Sequence, residues 1–205
     1  MPNVLVPIVE GLGEVDAVPV LLRRVLQHVE CFSIDIARPF RVKRQRVVRA
    51  GELERAILQA IRSREDVHAA LVLLDADDDC PMALGPQLLA RARNATQLPV
   101  AVVLAQKEYE CWLLGAKESL RGTRGIRDDC VSPAAPEAIR DGKGHLSRNM
   151  LAGRTYLPVD DQAALTAVMD ITSAASSCPS FNKLLHDLFR LAKDICHNQL
   201  GHSSP

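Results

Sequence analysis

Residues 70–79 read ALVLLDADDD, five apolar side chains followed by carboxylates at Asp75, Asp77, Asp78 and Asp79. An apolar run without polar alternation predicts a strand covered on both faces, the signature of a central strand in a parallel sheet. Residues two apart on an extended chain point to the same side, so Asp75 and Asp77 are expected to present two carboxylates to one place.

The neighbouring segments extend the pattern. Val4 to Val9 reads as a strand bounded by Gly11 and Gly13, and Val18, Leu21, Leu22, Val25 and Leu26 keep a helical period after it. Pro19 fits that helix only if it falls in the first turn. Phe32 to Ala37 reads as a second strand, Leu53, Ile57, Leu58 and Ile61 as a helix, Leu84, Leu88 and Leu89 as another, and Pro99 to Leu104 as the last strand. Strands alternating with helices predict an α/β core, a mainly parallel central sheet with helices on both faces. Residues 121–144 are rich in Gly, Pro and Asp and read as a linker around one short helix. Beyond it, Asp160 or Asp161 is expected to cap a helix carrying Leu165, Val168 and Met169. Ser180 is expected to cap another with Phe181, Leu184, Leu185, Leu188, Ala192 and Ile195 on one face, and His197 and His202 to lie in a frayed polar tail. The division is therefore a core over residues 1–120 and a linker with a C-terminal helical extension over 121–205.

At 205 residues, 47% hydrophobic and 24% charged, the chain has the composition of a globular domain, which excludes disordered and fibrous classes. No apolar run reaches the roughly 20 residues of a membrane span, and no basic leader precedes the first apolar run, so a cytoplasmic chain without membrane contact is expected. Six scattered cysteines form no CxxC pair, which suits reduced, structural thiols. The net charge of zero conceals an asymmetry. Residues 38–49, RPFRVKRQRVVR, carry six basic side chains and no acid, leaving 19 basic against 25 acidic residues elsewhere. Arg41, Lys43, Arg44 and Arg46 in this strip are the candidates for contact with nucleic-acid phosphates.

Parallel sheets gather ligands at the carboxyl ends of their strands. There the first strand runs into Glu10-Gly11-Leu12-Gly13-Glu14, the third into Asp75 and Asp77, and the fourth into Lys107-Glu108-Tyr109-Glu110-Cys111-Trp112. So many acids at one edge repel each other unless protons or cations compensate them. Mg²⁺ or Mn²⁺ suits such a donor set, and two ions would serve phosphodiester cleavage. Glu10, Glu14, Asp75, Asp77 and Glu108 are the metal candidates. Glu108 is preferred to Glu110 because helical residues two apart point some 200° from one another and Glu108 is nearer the strand end. Glu110 and Trp112 are assigned to support, and Lys107 is read either as steadying phosphate charge, as a catalytic candidate, or as pairing with an acid. Other sites fail on spacing. Counted from Asp75, an EF-hand would need Gly at Cys80 and Glu at Pro86. The Gly11–Gly13 turn has Asp16 where a dinucleotide fingerprint needs its third glycine, and no GxxxxGK[ST] loop is present.

Five stretches, VEGLGE at 9–14, LVLLDADDD at 71–79, KEYECWLLG at 107–115, TYLPVDDQ at 155–162 and CPSFNKL at 178–184, resemble a TOPRIM-like family of bacterial and archaeal domains of unknown function. They are also distantly similar to the nuclease half of the overcoming-lysogenisation-defect proteins. The resemblance implies a TOPRIM-like α/β fold and metal held by Glu10, Glu14, Asp75 and Asp77, with Glu10 as general base or acid. It also implies a role in antiviral (phage) defence and an ATPase protein partner. Asp79 completes a DxDxD run, but no tyrosine-nucleophile domain accompanies it, which favours simple hydrolysis over strand transfer. The expected function is thus a Mg²⁺- or Mn²⁺-dependent nuclease acting on DNA or RNA. The alternative is a catalytically silent metal-binding module that docks on a partner ATPase.

Overall fold

The computed structural model describes residues 3–200, with side chains through Ile195; His202, and the side chain of His197, lie outside the described residues. In chain order the elements are β1 (Asn3–Val9), α1 (Leu12–His28), β2 (Ile34–Ile36), β3 (Phe40–Arg41), α2 (Arg44–Val47), α3 (Glu52–Arg62), β4 (Val67–Asp75), α4 (Pro81–Ala95) and β5 (Val100–Ala105). Helices α5 (Glu110–Gly115), α6 (Gly142–Arg148), α7 (Ala163–Val168), α8 (Ile171–Ser177) and α9 (Pro179–Leu200) follow.

The sheet runs β2-β1-β4-β5 with every pair parallel, and β4 is central as its unbroken apolar run predicts. β3 also pairs with β1, beyond β2 on the same side, so the edge is one strand interrupted at Arg38 and Pro39. Leu5 and Val9 accept from Ala37 and Val42 across that edge. Pro7, between them, faces the same way, and its missing N–H falls opposite the interruption, where a ladder bond is not required.

Side-chain alternation sorts the strands into two cores. Leu5, Val9, Leu71, Leu73, Ala101 and Val103 face α1 and the helices that follow β5, including Trp112 of α5 and Phe181, Leu184 and Leu188 of α9. Val4, Val6, Ile8, Ala70, Val72, Leu74 and Val102 face α3 and α4. The extension beyond residue 120 is thus packed into the first core.

Three local expectations fail. Pro19 is not in the first turn; α1 begins at Leu12 and continues through it. An interior proline costs roughly 3 kcal/mol, which the burial of Ala17, Val18, Leu21 and Leu22 around it outweighs at about 1.5–3 kcal/mol per large apolar side chain. Neither Asp160 nor Asp161 caps α7. A wide helical turn over Pro158–Gln162 precedes it, and Asp161 accepts from the Leu157 N–H while facing Arg124 and Arg154. Ser180 lies inside α9, where its hydroxyl accepts from the Gln106 N–H and the Trp112 indole N–H. The basic strip forms the short edge strand β3 followed by α2. Among the described residues, no helix is long and apolar enough to cross a membrane.

Candidate active site

The carboxyl ends of β1, β4 and β5 open on one edge, where residues of the β1–α1 turn, β4, α5, α6 and the 158–162 turn line a cleft of about 330 Å³. Glu14, in the first turn of α1, accepts through Oε2 from the Glu10 and Gly11 N–H groups at 3.1 Å each, satisfying donors at the helix start and fixing its carboxylate beside Glu10. Gly13 sets the cleft's width: a Cβ there would lie 2.5 Å from the Pro158 carbonyl oxygen and 2.4 Å from Gln162 Oε1, so only glycine lets the 158–162 turn close against α1.

Asp75 ends β4 and is 7% exposed, its Oδ1 accepting from the Tyr109 N–H at 2.7 Å. Glu110 is 1% exposed; its Oε1 accepts from the Tyr156 hydroxyl at 3.0 Å, and its Oε2 lies 3.4 Å from Lys143 Nζ. Glu10 Oε2 and Glu110 Oε2 are both buried without a hydrogen-bond partner. One half-exposed lysine, Lys143, faces this set and bonds Glu108 at 3.1 Å.

The charge imbalance appears in every proton affinity. Burial, then the Glu14 and Asp77 charges, push the Glu10 carboxyl up to about 7. Burial followed by Glu14, Glu110 and Glu10 raises Asp75 well above the usual carboxylate range. Glu14 and Glu110 are raised too, burial leading in both. Burial opposes the Lys143 ammonium, yet Glu110, Glu108 and Asp75 outweigh it and hold its pKa above the ordinary lysine value.

The structure therefore brings Glu10, Glu14 and Asp75 to one cleft and separates the other two metal candidates, Asp77 and Glu108, from its lining. Asp77, in a left-handed conformation at φ 50°, points to Arg44 at 3.4 Å. Glu108 stands outside, joined through Lys143, and the cleft's fourth carboxylate is Glu110. Lys107 pairs with Asp78 at 3.3 Å, as does Arg140 at 2.7 Å. Arg44 is occupied internally: it donates to the Asp75 and Ala76 carbonyls at 2.8 and 3.0 Å and pairs with Asp79, clamping the turn after β4. Arg41 alone of the strip candidates lines the cleft, while Lys43 and Arg46 line an adjoining groove. The sequence reading missed Lys143, Tyr156 and Gln162. Tyr156 and Gln162 lie in the TYLPVDDQ stretch, whose position in the fold only the closure over Gly13 explains.

The family model described as Domain of unknown function (DUF4276) matches residues 9–189. The chain belongs to this family. No curated protein and no solved structure matches it. The match to DUF4276 takes in every residue of the cleft, from Glu10 to Gln162.

The donors suit a hard divalent cation: all are carboxylate oxygens, two of them buried without a hydrogen-bond partner, and among the lining residues four acids face two cations, Lys143 and Arg41. They are not drawn into a finished cage, since among the described residues no group of three or more His, Cys, Asp or Glu is arranged to hold a metal ion. Among the described residues of this DUF4276 chain, Lys143 is the one lysine lining the cleft, beside Arg41.

Proposed function

We propose that this chain is a divalent-cation-dependent phosphodiester hydrolase of nucleic acid, with a TOPRIM-like arrangement of its acidic edge. The observation that carries this reading is the set Glu10, Glu14, Asp75 and Glu110, four acids of raised proton affinity with two buried oxygens that lack a hydrogen-bond partner, at the strand ends of a parallel sheet. A fold keeps such repulsion where a cation relieves it in the working state.

Asp75 and Glu110 would hold Mg²⁺ or Mn²⁺, with Glu14 fixed behind them by its two N–H bonds. When bound, the cation supplies Lewis-acid chemistry, lowering the pKa of water and neutralising charge on the phosphoryl group. Glu10, in the same cleft, would accept the proton of the attacking water as that water's oxygen bonds to phosphorus and the ester P–O bond breaks, the ester oxygen leaving with the electron pair and taking a proton from solvent. Lys143 balances charge beside the phosphate, and Tyr156 fixes the rotamer of Glu110. The Leu12, Pro158 and Val159 wall limits water on one side.

The test is a plasmid and oligonucleotide cleavage assay across Mg²⁺, Mn²⁺ and EDTA, with Asp75→Asn as the inactive control, alongside thermal melting with the same metals. Metal-dependent cleavage that disappears in Asp75→Asn is expected. Absence of both cleavage and a melting shift would overturn the reading.

A further inference from the structure

Beside the cleft lies a second depression of about 330 Å³, lined by Phe40, Arg41, Val42 and Lys43 on one wall and by Arg46, Glu52, Arg55, Ala56 and Gln59 on the other. Four cations meet one acid there. Glu52 pairs with Arg46 at 3.0 Å and with Arg55 at 2.9 Å, so a single carboxylate holds two guanidinium groups in place while each keeps donors for another acceptor. Lys43 makes no ion pair among the described residues. Phe40, Val42 and Ala56 supply an apolar surface between these charges.

Arg41 belongs to both spaces. Its place is set by strand register, since β3 pairs Arg41 with Val9 at the end of β1, one residue before Glu10. Its guanidinium lies 3.5 Å from the Glu10 carbonyl oxygen. The acidic cleft and the basic groove are therefore neighbouring chambers with an arginine at their border.

We propose that the two chambers form one track for single-stranded nucleic acid, with Arg41 holding the phosphate that links the nucleotide in the cleft to the nucleotide in the groove. This deepens the hydrolase reading and rests on it for the role of the cleft. Each chamber is near the lower end of ligand-pocket volumes, about 300 Å³, which suits a nucleotide unit. A base-paired duplex keeps its bases stacked and paired inside the helix, so it would have to unpair before successive nucleotides could occupy the two chambers. The charges fit the backbone of a strand: cations in the groove for phosphates the enzyme does not cut, acids in the cleft where a cation mediates the interaction.

The experiment is fluorescence anisotropy in Mg²⁺ with the full chain in a Glu10→Gln background, which keeps the proposed cation ligands Asp75 and Glu110 while blocking cleavage, and with a labelled single strand of about a dozen nucleotides, its blunt duplex, and DNA and RNA versions of each. Tighter binding of the single strand is expected. Lys43→Ala combined with Arg55→Ala should weaken it about tenfold and flatten the log K against log[salt] slope by about 1.4, at roughly 0.7 for each phosphate no longer neutralised. Arg62→Ala, at the far end of α3, removes the same kind of charge and should change little. Equal affinity for duplex, no binding of the single strand, or a double variant that binds like the parent while melting at the same temperature would overturn the track. If the parent binds the strand as expected yet the unsubstituted chain cleaves nothing with any metal, the hydrolase reading falls and the track stands as a binding site.

Discussion

Asp75 and its neighbours Asp77, Asp78 and Asp79 belong to one acidic run yet live in opposite electrostatic surroundings. Asp75 is buried among Glu10, Glu14 and Glu110, and its proton affinity is raised well above normal. The three later aspartates are exposed and paired, Asp77 and Asp79 with Arg44, Asp78 with Lys107 and Arg140. The paired acids shape a turn, because each charge has a local answer. The crowded acids lower stability to keep a charge that Lys143 only partly balances, as sites poised for ligands do.

The largest expected effect separates the two groups by sign. Asp75→Asn and Glu110→Gln preserve the acceptors for Tyr109 and Tyr156 while removing a charge, so they should cut cleavage by roughly 10²-fold or more and still raise metal-free stability by about 1–2 kcal/mol. Thermal melting beside the cleavage assay checks both, and a fall in melting temperature would erase the distinction. Arg44→Ala should do the reverse for stability. It leaves the Asp75 and Ala76 carbonyls without their donor and frees Asp77 and Asp79, at about 2–3 kcal/mol in urea unfolding.

Next in size is a pH effect. Glu10 binds its proton more tightly folded, at about 7, than unfolded, near 4.5, so between these values the folded state holds more protons and stability falls as pH rises. After allowance for solvent screening the loss is on the order of 1–2 kcal/mol. Melting from pH 4.5 to 7.5 should show this decline in EDTA, a flatter profile in Glu10→Gln, and a stabilising effect of Mn²⁺ that grows toward the alkaline end. The smallest effect belongs to the paired side: Lys107→Ala, which gives up one ion pair with the exposed Asp78, should change stability by less than about 1 kcal/mol and leave metal binding intact by titration calorimetry.

The layout of the sheet could be read from side-chain pattern because its strands are continuous apolar runs and its helices keep a clean period. Pattern was silent where a tertiary interaction decided the outcome, as at Pro19, where core burial on both sides carries a helix through a proline, and at Ser180, whose hydroxyl is claimed by Trp112. The same division holds at the cleft. Glu10, Glu14 and Asp75 stand at strand ends or the helix start, where position alone implies convergence. The choice between Glu108 and Glu110 depended on where α5 begins, and its start at Glu110 turns that side chain inward. Lys143 and Tyr156 arrive from more than 30 residues away in sequence, across a stretch read as a linker around one short helix, in which no side chain pointed to the cleft.

Gly13 and the turn it admits make the second half of the chain part of the first half's chemistry. Pro158, Val159 and Gln162 form a wall of the cleft, Tyr156 orients Glu110, and Phe181 covers Trp112 edge to face. A fragment ended at residue 120 would lose that cover and expose the indole with the α1 surface around it. Trimming the protein to its sheet would yield a sticky remnant rather than a smaller version of the cleft, and any engineering of this scaffold has to carry both halves together.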